Sequence, residues 1–462
     1  MADASTPRSS SADAPRTPKT EDTPPIDDAT HRDGTHREAT LSDGTVSAGH
    51  PGRTETDSPE ASGPMLIRTR RTALLGAMFL MATSAVGPGF ITQTATFTYQ
   101  LGAAFGFAIL ISVLVDIAVQ LNVWRVLGVS GLYAQTLGNR ILPGLGWALA
   151  ALIFFGGIVF NIGNIAGAGL GLNAMTGMDA RIGGALSVIL ALLIFLSKKA
   201  GIALDRIVVA CGAVLILLMI FMAVTTAPPL GEALRQTFVP DQVEFLVITT
   251  LIGGTVGGYI TYAGAHRLIA SGNTGVENVK AISQTSVLGI MVATLIRFLL
   301  FLAVLGVVST GVVLAEDNVA ADAFSVALGE IGLRVFGAVF WVAAITSILG
   351  CTYTTVSFLT TKNTKDRTKN LYFFGFLVIT TAVYLMLGQA PQTLLIMAGA
   401  FNGTVLPLGF AVILYVAWRR RDLLQGYKYP KWLLILGVVV WLLTIYMGYN
   451  SLGGLASLWT EG

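Results

Sequence analysis

Two charged side chains lie near the centres of long apolar segments, where an unpartnered charge is expensive. Asp116 lies in one such segment and Arg297 in another. Buried ionisable groups of this kind normally face a partner or a polar cavity. The two residues could form an ion pair that holds segments together. Alternatively, Arg297 could bind a substrate carboxylate, and Asp116 could carry a coupling proton.

Two other long apolar segments contain helix-breaking residues at their centres. Gly87-Pro88-Gly89 interrupts residues 73–98, and the glycines between 253 and 258 interrupt residues 245–270. Backbone at membrane depth can leave the helix only where protein or a water-filled cavity satisfies its N–H and C=O groups. Paired breaks in corresponding halves of a chain are typical of transporters and mark their binding site.

The first break is followed by hydroxyl and amide side chains. A half-helix that resumes near Phe90 presents free N–H groups, which favour negative charge. Each threonine could instead bond to a carbonyl of its own helix. We expect the cluster as a whole to line a substrate or ion path. The residues predicted to bind substrate at this break are Gly87, Pro88, Gly89, Phe90, Thr92, Gln93 and Thr94.

The second break combines missing side chains with nearby hydroxyl groups. Its glycines indicate a roomy cavity, although small residues also let membrane helices pack closely. Asn402, in a later segment, is a weaker candidate. The residues predicted to bind substrate here are Thr255, Gly257, Gly258, Tyr259 and Asn402.

Two amides form a polar face on the third apolar segment. Asn161 and Asn164 are three residues apart and therefore adjacent on a helix. They could take part in ion coupling or form hydrogen bonds between helices. Amides do not titrate near neutral pH, so they cannot carry protons themselves. His266 and Arg267 end the sixth segment and are expected to anchor it at the membrane interface.

The composition is that of an integral membrane protein. Of 462 residues, 53% are hydrophobic and 12% charged, with a mean hydropathy of +0.70, whereas soluble domains carry about 25% charged residues. No ATPase phosphate loop and no nucleophile–base set occurs. We therefore expect no enzyme activity, cofactor or nucleic-acid partner. Cys211 and Cys351 lie in apolar segments, which argues against a disulfide framework.

The apolar segments indicate an all-α polytopic protein with about eleven spans of about 20 residues each. Residues 1–64 are rich in Ser, Thr, Pro and Asp, which predicts a disordered tail. Basic residues cluster on alternate loops, which predicts a plasma-membrane protein with a cytoplasmic N-terminus and an extracytoplasmic C-terminus. Residues 65–462 form the transporter domain, and its predicted parts are repeats at about 73–227 and 245–418 and an eleventh span at about 431–452.

The residues around the breaks resemble the NRAMP family of divalent-metal transporters. Gly87-Pro88-Gly89-Phe90 stands where that family has Asp-Pro-Gly-Asn, and the second break is similar to its sixth-span motif ending in Met-Pro-His. The resemblance implies a LeuT-like inverted repeat of five plus five helices with an added eleventh helix. It also implies secondary active transport of Mn, Fe or Mg by alternating access, with H⁺ or Na⁺ as the coupling ion.

The departures from the family motifs concern the metal ligands. Gly87, Phe90, Gly257 and Tyr259 stand where the family has Asp, Asn, Met and His. Soft sulfur selects transition metals and carboxylate supplies negative charge, and both are missing at these positions, so the metal ligands are unknown. A small organic acid or amino-acid-like solute is therefore the alternative substrate. A channel or non-transporting receptor is a second alternative.

Overall fold

The computed structural model describes residues 86–270, 272–360 and 364–461. Within these ranges the regular structure is helical and contains no β-strand. The helices are α1 Pro88–Leu101, α2 Phe105–Ser130, α3 Ala134–Ile141, α4 Leu145–Thr176, α5 Ala180–Leu196, α6 Lys198–Thr226, α7 Leu230–Phe238, α8 Phe245–Thr255, α9 Ile260–Ala270, α10 Val279–Val308, α11 Val319–Leu359, α12 Asp366–Leu387, α13 Pro391–Arg419 and α14 Lys431–Glu461.

These helices confirm an integral multi-pass membrane protein. In the described ranges, nine helical stretches are long and apolar enough to cross a bilayer, and α5 is a shorter apolar helix. One of these stretches joins α1 and α2 through the short 3₁₀ turn Gly102–Ala104. The predicted tail, residues 1–64, and the first half of the predicted first span lie outside the described residues.

Two glycines set helix boundaries that other residues would resist. Gly177 ends α4 in the left-handed conformation with φ 79°, which costs glycine little because it has no Cβ. Gly329 interrupts α11 with φ 69°. The residues of α11 before Gly329 therefore form a short helix of their own, and those after it form a membrane-length helix.

Small residues let the central helices approach closely. A Cβ on Gly171 of α4 would lie 2.6 Å from the backbone nitrogen of Trp341 in α11. A Cβ on Gly337 of α11 would in turn lie 2.6 Å from the backbone nitrogen of Met175. Close backbone approach raises the number of van der Waals contacts, which stabilise helix association where no water is excluded. Gly171 and Gly337 therefore allow α4 and α11 to pack with their backbones in close contact.

The last helix, α14, extends beyond the predicted span at residues 431–452 and packs on the broken part of the molecule. Its Ser451 hydroxyl lies 2.8 Å from the Thr249 hydroxyl of α8. Trp441 Nε1 donates to the carbonyl of Pro407 in α13 at 2.9 Å. Helix α14 thus contacts both α8 and α13.

Candidate functional site

The second break is confirmed. Helix α8 ends at Thr255, α9 begins at Ile260, and a turn occupies residues 256–259. The N–H of Gly258, freed by the break, donates to the carbonyl of Asn402 in α13 at 2.9 Å. Helix α13 therefore satisfies backbone that the broken helix cannot satisfy itself, as membrane depth requires.

The first break gives a helix that begins where the sequence predicts. Gly87 is the N-cap of α1 in an extended conformation, and Pro88 takes the first helical position, where its missing N–H costs nothing. The first hydrogen bond of the helix runs from the N–H of Ile91 to the carbonyl of Gly87 at 3.3 Å. The chain before residue 86 lies outside the described residues.

The threonines of α1 divide into two groups. Thr94 and Thr98 donate to carbonyls four residues earlier, at 2.7 and 2.6 Å, so these hydroxyls serve their own helix. Thr92 and Thr96 are buried, and their hydroxyls have no hydrogen-bond partner in the part of the chain that the structure describes. The predicted polar path along α1 is therefore reduced to one face, Thr92 and Thr96.

Gln93 joins the two breaks physically. A Cβ on Gly254 of α8 would lie 2.5 Å from Gln93 Oε1, and a Cβ on Gly399 of α13 would overlap Gln93 Nε2. The amide thus lies between two glycines on two other helices. Its Oε1 is buried without a hydrogen-bond partner among the described residues. Gln93 of α1 therefore lies against both α8 and α13.

Arg297 of α10 lies at the junction of the two breaks. Its guanidinium carbon stands 4.2 Å from the centre of the Phe90 ring at the start of α1. Its Nη1 donates to the hydroxyl of Thr255, the last residue of α8, at 3.3 Å. The side chain is 2% exposed, and its Nε and Nη2 have no partner within the described ranges. Two donor atoms of the planar guanidinium therefore have no partner among the described residues.

Asp116 of α2 faces the same group of residues. It interacts electrostatically with Arg297 and faces Thr255, but both its carboxylate oxygens lack a hydrogen-bond partner in the described chain. The direct ion pair with Arg297, one of the two alternatives that the sequence left open, is not formed between these two described side chains. The guanidinium is instead held by the Thr255 hydroxyl and the Phe90 ring, which together fix its plane. Asp116, Thr255, Arg297 and Phe90 are called the charge cluster below.

The roomy cavity predicted from the glycines of the second break is absent from the described structure, because neighbouring helices fill the space. A Cβ on Gly257 would lie 2.8 Å from Asn402 Cβ, and one on Gly258 would lie 2.7 Å from Val405 Cγ2. A Cβ on Gly253 would overlap the backbone of Gly399. These glycines serve close packing, which the sequence left as an alternative.

Other predicted site residues hold helices together. The Tyr259 hydroxyl donates to the carbonyl of Cys351 in α11 at 3.1 Å. Asn402 Nδ2 donates to the carbonyls of Ala398 at 2.9 Å and Gly156 at 3.3 Å. Asn161 Nδ2 donates to the Thr380 hydroxyl of α12 at 3.0 Å.

Unpartnered polar atoms remain on three asparagines. Asn161 Oδ1, Asn164 Nδ2 and Asn402 Oδ1 are buried without partners in the residues that the structure describes. Asn161 and Asn402 therefore combine a structural bond with a free polar atom. Their hydrogen bonds tie them to α4, α12 and α13, and these bonds do not lead to the charge cluster.

His266 occupies an aromatic sandwich that the sequence does not indicate. Its ring lies 4.1 Å from that of Tyr133 and 3.9 Å from that of Phe358. The side chain is 4% exposed, so it is buried and does not anchor an interface as expected. Its neighbour Arg267 donates to Thr354 at 3.4 Å. Because Tyr133 and Phe358 are far away in sequence, no local pattern could reveal the sandwich.

A cavity of about 380 Å³ lies away from the breaks, where α1 ends and α8 begins. It is lined by Phe97, Gln100, Leu101, Gln242, Glu244, Leu246, Val247 and Ile396. We call it the end cavity. It contains none of the predicted site residues, yet its walls belong to the same two half-helices that lead to the charge cluster.

The side chains present offer little to a bare metal ion. Within the described ranges, no three His, Cys, Asp or Glu residues are grouped closely enough to hold one. The charge cluster supplies one carboxylate and one guanidinium. Its donor set fits an anionic group with hydrogen-bond acceptors better than it fits a dication.

The described helices, one of which is broken beside two buried charges, are those of a membrane transporter of LeuT-like fold. The chain belongs to the natural resistance-associated macrophage protein-like (Nramp) family, whose model matches residues 78–453. Two similar proteins are uncharacterized membrane proteins. One is YcsG of Bacillus subtilis, 46% identical over 389 residues, covering 84% of this chain and 96% of the relative. The other, from Haemophilus influenzae, is 47% identical over 386 residues, covering 83% and 96%.

Solved structures support the fold. A mutant of the manganese transporter of Eremococcus coleocola superposes with a TM-score of 0.64 at 14% identity, covering 86% of this chain and 90% of its own. MhsT in complex with L-phenylalanine gives a TM-score of 0.61 at 18% identity, covering 82% and 98%. At these identities the likeness concerns the fold alone.

Proposed function

We propose that this protein is a secondary active transporter that carries a small carboxylate-bearing solute by alternating access. The observation that supports the proposal is Arg297, a buried guanidinium with two free donors at the junction of α1 and α8. Guanidinium binds carboxylate through two parallel hydrogen bonds. The solute would be an organic acid or an amino-acid-like molecule.

Charge balance favours an anionic group over a divalent cation. With both ionised, Asp116 and Arg297 have a net charge of zero. A dication added to the charge cluster would leave two uncompensated positive charges at membrane depth, where burying even one is costly. The Arg297 charge would also repel it directly. A carboxylate instead meets a positive group and the N-terminal end of α1.

The proposed path runs from the end cavity to the charge cluster. Both share α1 and α8, so movement of these half-helices would open and close the route between them. Gln93, inserted between Gly254 and Gly399, would transmit that movement to α13. The likeness to MhsT, which was solved with L-phenylalanine, supports the capacity of this fold to hold an amino acid.

A divalent cation is the second candidate, because the chain belongs to the Nramp family and resembles the fold of a manganese transporter. In that case Asp116, backbone carbonyls and water would have to hold the ion. Mg²⁺, which keeps several waters and uses one or two carboxylates, would suit that donor set better than a transition metal.

Uptake into proteoliposomes separates the candidates. We expect saturable uptake of at least one labelled compound among acetate, L-lactate, L-proline and L-glutamate, and no saturable uptake of labelled Mn²⁺. Arg297→Ala should abolish the uptake. Arg334→Ala, which removes a surface arginine paired with Glu330 at 2.6 Å, is the matched control and should keep it.

Three results would overturn the proposal. Saturable Mn²⁺ uptake that survives Arg297→Ala would favour the metal. Flux that rises linearly with concentration would indicate a channel. Carboxylate uptake unchanged by Arg297→Ala, with thermal stability also unchanged, would remove Arg297 from the binding site.

A further inference from the structure

We propose that Asp116 binds the proton that drives transport, one proton for each carboxylate solute of net charge −1 carried. The inference rests on the proposed function, because it assumes that a substrate carboxylate binds Arg297. It names the coupling ion and the side chain that carries it. In this proposal Asp116 gains and loses a proton during each transport cycle.

The geometry leaves Asp116 free to gain and lose a proton. It is 1% exposed, and neither carboxylate oxygen has a hydrogen-bond partner in the described ranges. The Thr255 hydroxyl that it faces already donates to the carbonyl of Leu251 at 2.8 Å and accepts from Arg297. Thr255 therefore has no proton left to give Asp116. No direct bond to Arg297 would have to break when Asp116 is protonated.

Charge balance then links the proton to the substrate. With substrate absent, ionised Asp116 balances Arg297. A bound solute of net charge −1, such as acetate, L-lactate or L-glutamate, adds one negative charge to a site closed off from water, and an unbalanced charge there is costly. One proton on an Asp116 oxygen restores neutrality. When the site faces the other compartment, loss of that proton lets Asp116 again balance Arg297, which favours release of the substrate.

Among the described residues, Arg297 is the charged group that interacts with Asp116. Of the elements that pack on α2, α10 contributes Arg297 and α8 contributes Thr255, which does not titrate. Arg125 is also on α2, nine residues after Asp116 and therefore about 13 Å from it along the helix axis. The Arg125 guanidinium donates to the Ser283 hydroxyl at 2.6 Å. His266 is enclosed by Tyr133 and Phe358.

Proton uptake on binding tests the inference in purified protein. Acetate, L-lactate, L-proline and L-glutamate are titrated into weakly buffered protein with a pH indicator, and binding is followed by the shift in melting temperature. We expect about one proton taken up per bound acetate, L-lactate or L-glutamate, each of net charge −1, and none per bound L-proline, whose ammonium balances its own carboxylate. With Asp116 ionised before binding, affinity for the three anions should rise about tenfold for each unit that the pH is lowered, as linkage requires for one proton.

Two variants separate coupling from structure. Asp116→Asn should bind the same carboxylate without proton uptake and with an affinity independent of pH. The variant should exchange labelled for unlabelled carboxylate across the membrane, but an imposed pH gradient should not drive accumulation of the carboxylate. Asp116→Glu keeps a titratable group and should retain proton uptake. Asp317→Asn, an exposed loop carboxylate, is the control for charge removal.

The possible failures are distinct. If none of the four compounds binds the wild type, the proposed function fails and the inference fails with it. If acetate, L-lactate or L-glutamate binds through Arg297 without proton uptake, only the inference fails. Proton uptake that persists in Asp116→Asn would likewise overturn it, because another group would then carry the proton. Misfolding of Asp116→Asn leaves the wild-type proton count and Asp116→Glu as the deciding measurements.

Discussion

At the scale of single residues, the proposed function depends on how Arg297 is held. The Phe90 ring and the Thr255 hydroxyl fix two sides of the guanidinium and leave two donors free. Both supports come from the broken helices, so their position changes if α1 or α8 moves. Substrate affinity would therefore depend on conformation, as alternating access requires.

Removing the Thr255 hydroxyl should weaken substrate binding and spare the fold. Thr255→Val keeps the shape and deletes the acceptor for Arg297 Nη1, a bond to a charged group worth about 1.5–3 kcal/mol. We expect KM for the transported carboxylate to rise about tenfold or more. Thr255→Ser keeps the hydroxyl and should retain wild-type KM. An equal loss in both variants would contradict the assigned role.

The sequence indicates which charged side chains lie at membrane depth more clearly than how they are arranged. Asp116 and Arg297 stand out because charges at membrane depth are rare. The sequence could not predict that Arg297 donates to Thr255 rather than to Asp116, because this arrangement depends on the rotation of α2, α8 and α10 about their axes. Likewise, hydropathy does not distinguish Thr94, bonded to its own helix, from Thr92, whose hydroxyl is unpartnered among the described residues.

At the scale of helices, glycine has two separate effects in the second break. The N–H of Gly258, freed from the helix, donates to a carbonyl of α13, whereas Gly253 permits the backbones of α8 and α13 to touch. The sequence predicted the interruption correctly because glycine runs break helices. It was wrong about a roomy cavity, because the sequence does not show that Gly399 and Asn402 fill the space.

Adding one methyl group at Gly253 tests this helix crossing. In Gly253→Ala the new Cβ would overlap backbone atoms of Gly399 and Gly403, which cannot move as a side chain can. We expect a loss of about 1–3 kcal/mol of stability, measured as a lower melting temperature in detergent. Gly212→Ala in α6 meets nothing within 4 Å and should be neutral or slightly stabilising. Equal melting temperatures would show that α8 and α13 do not touch at Gly253.

At the scale of the whole molecule, the sequence and the structure agree on the class of protein. Long apolar segments predicted the membrane helices because a bilayer imposes length and hydropathy together. The LeuT-like fold followed from resemblance and is confirmed by the solved structures. The division into five plus five helices and the disordered tail stay predictions, as the chain before residue 86 is outside the described residues.

We propose that the loop containing Asp317 is extracytoplasmic and the loop containing Arg421 cytoplasmic, following the distribution of basic residues. Both residues are exposed. In intact cells, Asp317→Cys should react with a membrane-impermeant maleimide, and Arg421→Cys should react only after permeabilisation. The unsubstituted protein, with Cys351 buried and Cys211 half-buried, is the background control. The reverse labelling would invert the orientation.

Counterflow tests the central claim most directly. Proteoliposomes are preloaded with one unlabelled carboxylate and placed in a trace of the same labelled compound. An alternating-access carrier should accumulate label transiently above equilibrium, and excess Mn²⁺ outside should leave the overshoot unchanged. Absence of overshoot for acetate, L-lactate, L-proline and L-glutamate, together with an overshoot of labelled Mn²⁺ in Mn²⁺-loaded vesicles, would contradict a carboxylate carrier and assign the chain to metal transport.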